Sequence, residues 1–241
     1  MVENNTIVID TFAEAFPMKA SRLIITAHNK TWALKAAESF TGFATSVIAC
    51  GCEAGIEKIL NSNDTPDGRP GVSILVFSMS SKELAKQILN RAGQCVMTTP
   101  TSSLFSGSTG DIKINLGKSL RYFGDGYQIS KIINGKRFWR IPVMDGEFVC
   151  EEYAYQQKAI GGGNFLVIGK DVDSVLKASE VAVSKMKKLR NIILPFPGGI
   201  VRSGSKVGSK YKQLIASTNF EYCPTMRGLK KLKISANSGC V

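Results

Sequence analysis

Arg22-Leu23-Ile24-Ile25-Thr26-Ala27 has the aliphatic density of a buried strand. Residues 32–40 follow it with Ala33, Ala36, Ala37 and Phe40 at helical spacing, so the chain enters its core as strand then helix. Residues 45–50 read as the next strand. A second cycle runs from Val72-Ser73-Ile74-Leu75-Val76-Phe77 into a helix over 82–92, with Leu84, Ile88 and Leu89 on one face and Gly93 as a C-terminal stop. A third pairs the strand Phe165-Leu166-Val167-Ile168 with a helix over 173–190, striped by Val175, Leu176, Ser179, Ala182, Val183, Met186 and Leu189. That helix starts on acids and ends on bases, as its dipole prefers.

Segments rich in Gly, Pro, Ser and Asp punctuate these cycles and are expected as loops: 64–71, 102–110, 124–126 and 195–199. Strands alternating with helices in units of this size predict α/β sandwich packing. The extended stretch 122–152 has the pattern of hairpins joining two lobes, which places the domains at residues 1–150 and 151–241.

The chain has 241 residues, 44% hydrophobic and 21% charged, the composition of a globular protein. Its start lacks the basic and apolar regions of a secretory signal, and no run approaches the ~18 apolar residues of a membrane span. The expectation is a soluble, cytoplasmic protein whose six cysteines are reduced thiols. The net charge of +12 is unevenly placed: up to Ser184, 19 basic residues meet 18 acids, whereas from Lys185 onward 12 meet one, Glu221. Such a tail points to an anionic partner, a nucleic acid, a membrane surface or a polyanionic small molecule, or else is a solvated basic face.

The motifs narrow the chemistry. One histidine, His28, cannot build a His-rich metal site, and Cys50-Gly51-Cys52 has no second pair at zinc-finger spacing. His28 with Cys95 is a poor catalytic pair, since a lone histidine at a strand end is more often a solvated or capping residue. Gly117-Lys118-Ser119 imitates the end of a P-loop, but Ile112 stands where the leading glycine is required. Gly161-Gly162-Gly163-Asn164 precedes a strand instead of opening a helix, so it fails the dinucleotide fingerprint. The basic tail has no nucleic-acid recognition motif. What remains are polar loops with uncharged donors: Gln94, Thr98, Thr99 and Thr101; Asp125 and Tyr127; Ser203, Ser205 and Lys206; Ser217, Thr218 and Asn219. Hydroxyls, amides and backbone N–H groups suit direct acyl transfer between two bound substrates, although the same residue types dominate ordinary turns.

The order of several long motifs carries a resemblance. Asp10-Thr11-Phe12-Ala13-Glu14-Ala15-Phe16, Gly42-Phe43-Ala44-Thr45-Ser46, Asp64-Thr65-Pro66-Asp67-Gly68-Arg69-Pro70-Gly71 and Gly93-Gln94-Cys95-Val96-Met97-Thr98 resemble the N-terminal lobe of the formylmethanofuran:tetrahydromethanopterin formyltransferases. Phe123-Gly124-Asp125-Gly126-Tyr127-Gln128, Pro195-Phe196-Pro197-Gly198-Gly199, Ser205-Lys206-Val207-Gly208-Ser209-Lys210 and Ala216-Ser217-Thr218-Asn219 continue it colinearly to about residue 225.

The resemblance implies an α+β fold of two lobes of ferredoxin-like α/β sandwich topology. It implies transfer of a formyl group from methanofuran to N5 of tetrahydromethanopterin, in methanogenesis or in methyl and formyl oxidation. It also implies a homotetramer with no metal or permanently bound cofactor; with no membrane-length run and no recognition motif, no membrane partner is expected and a nucleic-acid partner is disfavoured. Asp125, Ser217 and Asn219 would be the catalytic residues. Gln94, Thr98, Tyr127, Phe196, Arg202, Lys206 and Lys210 would bind the two polyanionic carriers. After Thr225 the family continues through a strand whose glutamate lies at the active site. No acid follows Glu221 here, and Leu232-Lys233-Ile234-Ser235-Ala236-Asn237 resembles a stretch near the family's C-terminus. An internal deletion that leaves the second lobe incomplete is therefore expected. The rival readings are a paralogue that binds carriers without turnover and a basic nucleic-acid-binding module.

Overall fold

The computed structural model describes residues 2–3, 6–9, 15–47, 49–202, 219–226, 232–235 and 238–240. Its first unit runs β1 (Ala15–Thr26), α1 (Lys30–Thr41), β2 (Glu53–Leu60), β3 (Gly71–Ser78), α2 (Ser81–Arg91) and β4 (Ser103–Ser106). In space these strands lie in the order β2-β3-β1-β4, every neighbouring pair antiparallel. A β-α-β-β-α-β order with this arrangement is the ferredoxin-like motif.

Local chemistry explains the helices. Asn29 caps α1 by accepting from the Trp32 amide, and Ala33, Ala36, Ala37 and Phe40 form its buried face. Ser80 caps α2 through the Glu83 amide, and Leu84 and Ile88 are its buried pair. Both faces join Leu23, Ile25, Val72, Ile74 and Val76 of the sheet in one core. Each fully buried side chain of this size contributes ~1.5–3 kcal/mol, so the stripes, more than helix propensity, hold the layer together.

The sheet continues through β5 (Ile112–Asn115), β6 (Ile129–Ile133), β7 (Lys136–Val143), β8 (Gly146–Glu151) and β9 (Tyr153–Gly162). The antiparallel meander β6-β7-β8 extends the first unit, with β8 parallel to β4 through Val149–Ser103 and Cys150–Leu104. The twelve residues of β1 change partner along their length: Leu23 to Thr26 pair with β4, whereas Ala15 to Ala20 pair with β9. Beyond β9, Ile168–Gly169 (β10) pairs with Gly239–Cys240 (β11), and α3 (Val172–Met186) is capped by Asp171, whose carboxylate accepts from the Ser174 amide at 2.7 Å.

The fold is α+β, and five elements differ from the sequence reading. Residues 45–50 form no strand among those described, because Phe43 and Ala49 take left-handed backbones; the strand is β2, disguised by its glycine and charges at the sheet edge. Gly93 does not end α2. The chain runs on as a π-helical turn, Ala92–Val96, in which the Met97 amide donates to the Ala92 carbonyl. The expected loop 102–110 contains β4, whose serines sit buried mid-sheet. The expected strand 165–168 is reduced to β10, and α3 stops at Met186.

Candidate active site

The face of the sheet opposite α1 and α2 carries Ala20, Arg22, Leu75 and Phe77, and the chain from β9 through α3 to Val201 lies over it. Between them is a cleft of about 890 Å³, walled by Phe77, Val183, Met186, Leu194 and Phe196. On the other side of residues 192–199 is a second cleft of about 550 Å³, bordered by Glu38, Phe43 and Lys187. Phe196 lines both. The crossing segment sits close to the sheet because residue 55 is glycine: a Cβ there would meet Ile193 Cβ at 2.9 Å.

A charge network fastens this segment. Ladder pairing skips from Ile56 to Lys58, so Glu57 is the extra residue of a bulge, a device that re-aims a side chain. Arg22 grips its carboxylate with two bonds, Nε to Oε2 at 2.7 Å and Nη2 to Oε1 at 2.9 Å. Ser73 Oγ donates to the same group, as does the backbone amide of Asn191. Arg22 also donates to Asn191 Oδ1 at 2.7 Å. Burial, with the Glu57 side chain 5% exposed, pushes its pKa upward, but the Arg22 and Ser73 bonds, the Arg22 charge and the Asn191 amide outweigh this and hold it below the ordinary value.

Gln94 lies on the π-helical turn after α2 and Thr98 two residues beyond its end, and short insertions of this kind often mark functional sites. Most hydroxyls here are occupied by backbone. Thr98 donates to the Gln94 carbonyl, Thr99 to Cys95 and Ser102 to Val96. Thr101, in a left-handed conformation, is held from three sides: the Asp145 carboxylate takes its amide, its hydroxyl accepts from the His28 amide, and Arg69 Nη1 donates to its carbonyl at 2.6 Å. Arg69 further binds Ser103 and Thr26 and is paired with Asp67 at 2.8 Å. The side chain of Gln94 is exposed and has no partner among the described residues.

Asp125 and Tyr127 share a second turn. Asp125 takes a left-handed backbone at the end of a 3-10 turn, Arg121–Gly124, and is exposed; Tyr127 is 82% exposed. The two turns start from neighbouring points, since Leu120 Cδ2 lies 3.6 Å from where a Cβ on Gly93 would sit. Gln94, Thr98, Asp125 and Tyr127 line neither cleft, and among the candidates that are described residues only Phe196 does. Arg202 is exposed just beyond the cleft wall at Val201, and Asn219 precedes a 3-10 turn, Phe220–Tyr222. Ser217, Lys206 and Lys210 lie outside the described residues. Sequence reasoning passed over Arg22, Glu57, Asn191 and Arg69. A charged residue heading an aliphatic strand was the available signal for Arg22; nothing local announces that Glu57 is a bulge. The thiols offer no ready nucleophile at Cys52 or Cys150: burial raises both pKa values, that of Cys150 well above the ordinary one with the adjacent Glu151 adding to it.

Residues 1–143 match the family model for formylmethanofuran-tetrahydromethanopterin formyltransferase, and residues 146–241 match that of its proximal lobe. The chain belongs to this family. A formylmethanofuran--tetrahydromethanopterin formyltransferase of Methylococcus capsulatus is 60% identical over 98% of the chain, which spans 79% of that relative. The enzyme of the same name from Methanocaldococcus jannaschii is 45% identical over 94% of the chain, which spans 77% of it. Among solved structures, the formyltransferase/hydrolase complex of Methylorubrum extorquens, crystallised with methylofuran, matches with a TM-score of 0.92 at 48% identity, covering 99% of this chain and 80% of that one. The Methanosarcina barkeri formyltransferase matches with a TM-score of 0.91 at 43% identity, covering 100% and 82%. About a fifth of each of these formyltransferase chains has no counterpart in this one.

Proposed function

We propose that this chain transfers a formyl group between formylmethanofuran and N5 of tetrahydromethanopterin in one-carbon metabolism. The observation that carries the reading is the agreement of the backbone, over essentially its whole length, with formyltransferase structures, one of them crystallised with methylofuran. In the forward direction N5 attacks the formamide carbon, charge collects on a tetrahedral oxyanion, and the methanofuran nitrogen takes a proton as it leaves. Ser217 and Asn219 are donors for the oxyanion, and Asp125 is the carboxylate that handles the proton. Gln94, Thr98, Tyr127, Phe196, Arg202, Lys206 and Lys210 hold the carriers, which are substrates; no cofactor stays bound. Thr98 already donates its proton to a carbonyl, so it can only accept from a carrier, whereas the Gln94 amide can do both. The lobes meet near residue 150, the second being incomplete. The protein works as a cytoplasmic homotetramer without a nucleic-acid partner.

The test is formyl transfer by the purified chain, followed by absorbance, with Asp125→Ala and Asn219→Ala beside it. Expected are turnover in the parent and a rate lower by roughly 10²-fold in each variant at unchanged Tm. A folded parent that binds both carriers without turnover would refute the reading, and unaltered kinetics in the variants would remove those residues from the site.

A further inference from the structure

β5 and the turn after it carry cations that no carboxylate answers among the described residues. Lys113 and Lys118 both place their ammonium groups over the ring of Tyr153, at 5.0 and 5.7 Å from its centre. Arg121 follows Lys118 by three residues in the same helical stretch, where side chains three apart are neighbours. Among the described residues none of the three is ion-paired. Two ammonium groups held to one ring repel each other, and a bound anion relieves this.

Arg121 adds a geometric argument. Its guanidinium stacks on two rings, 4.7 Å from the Trp139 indole and 4.8 Å from the Tyr122 phenol. Stacking occupies the faces of the planar group and leaves its edge, the fork that matches carboxylate and phosphate, for other partners. That edge is nearly unused: Nη2 donates to the Tyr122 hydroxyl at 2.9 Å, and the buried Nε–H has no acceptor. The indole N–H of Trp139, stacked on the same guanidinium, is buried and also lacks one. Two orphaned donors on one stacked pair of side chains are rare in a folded protein and are unfavourable until an acceptor arrives. Both donor atoms are covered, so an anion reaches them by displacing Tyr122, which is 69% exposed and whose hydroxyl has Arg121 as its one partner among the described residues. The closeness of the turn to Trp139 depends on Gly117, where a Cβ would meet indole Cδ1 at 3.0 Å. The Gly117-Lys118-Ser119 triplet, no P-loop, thus still brings its lysine to a cationic corner.

We propose that Lys118, Arg121 and Trp139, with Lys113 behind them, form an oxyanion-binding site for a carboxylate or phosphate group. Arg121 supplies the fork, Trp139 a neutral donor, and the lysines the field.

The two tryptophans, Trp32 and Trp139, give two indole N–H signals in a ¹⁵N-labelled full chain, assigned with Trp139→Phe. Inorganic phosphate and a triglutamate peptide are titrated separately, against sodium chloride at matched ionic strength. The Trp139 signal is expected to move and saturate with one or both anions while that of Trp32 stays, and which anion acts distinguishes phosphate from carboxylate. Lys118→Gln, at an exposed position, should weaken saturation about tenfold, and Arg121→Lys, which keeps the charge but loses the fork, by at least as much. An unmoved Trp139 signal, a shift reproduced by sodium chloride, or equal saturation in Lys118→Gln would overturn the site.

Discussion

Arg22 and Arg69, in the ferredoxin-like unit, differ from Arg121 at the meander in what their guanidinium edges meet. Arg22 forks onto Glu57 and reaches Asn191; Arg69 holds Asp67, Thr26, Ser103 and the Thr101 carbonyl. Arg121 lies against two rings with its Nε–H unanswered. The first two fix one piece of chain against another: residues 191–196 over the sheet, and the turn after α2 against β1 and β4. The third hydrogen-bonds only to its neighbour Tyr122 among the described residues. A satisfied arginine is architecture, while one with spare donors is positioned for something that arrives.

The contrast can be broken at its strongest point first. Arg22→Ala leaves the Glu57 carboxylate buried without its cation, and a loss of roughly 3 kcal/mol in urea unfolding is expected. A loss below about 1 kcal/mol would mean that water replaces the guanidinium and that the network is not what seats residues 191–196. Arg69→Ala is expected to cost about 1–2 kcal/mol, since the carboxylate it leaves, Asp67, is nearer to solvent than Glu57, and to speed amide exchange in residues 94–102 more than elsewhere. Uniform exchange across the protein would detach that turn from Arg69. Arg121→Gln closes the series with the smallest effect, within about 0.5 kcal/mol of the parent, because it surrenders stacking but no ion pair. A large loss there would make Arg121 a third structural clamp.

The sequence reading succeeded where periodicity reports burial. Ala33, Ala36, Ala37 and Phe40 are spaced as a helix face and are one, and Val72 to Phe77 is a strand buried on both sides. It failed where tertiary partners set the backbone. Ser103 to Ser106 looks like a loop because serines are turn-formers, yet Ser103 answers Arg69 and the strand lies between β1 and β8. Gly93 looks like a stop, but the chain passes through it as a π-helical turn, and the hydroxyls of Thr98, Thr99 and Ser102 take up the carbonyls of Gln94, Cys95 and Val96 at the new end. The candidate site was legible only through motif order. Gln94, Asp125 and Phe196 fall on three separate exposed or cleft-lining segments, and no spacing rule predicts which such segments converge on a carrier.

The change of partner along β1 also orders assembly. Its second half finds β3 and β4 within the ferredoxin-like unit, whereas its first half waits for β9, far down the chain. Closing so long a loop is slow and gains little until its neighbours are in place. The first unit therefore has the connectivity to form early during synthesis, and residues 15–20 are the seam along which the later part of the chain zips on.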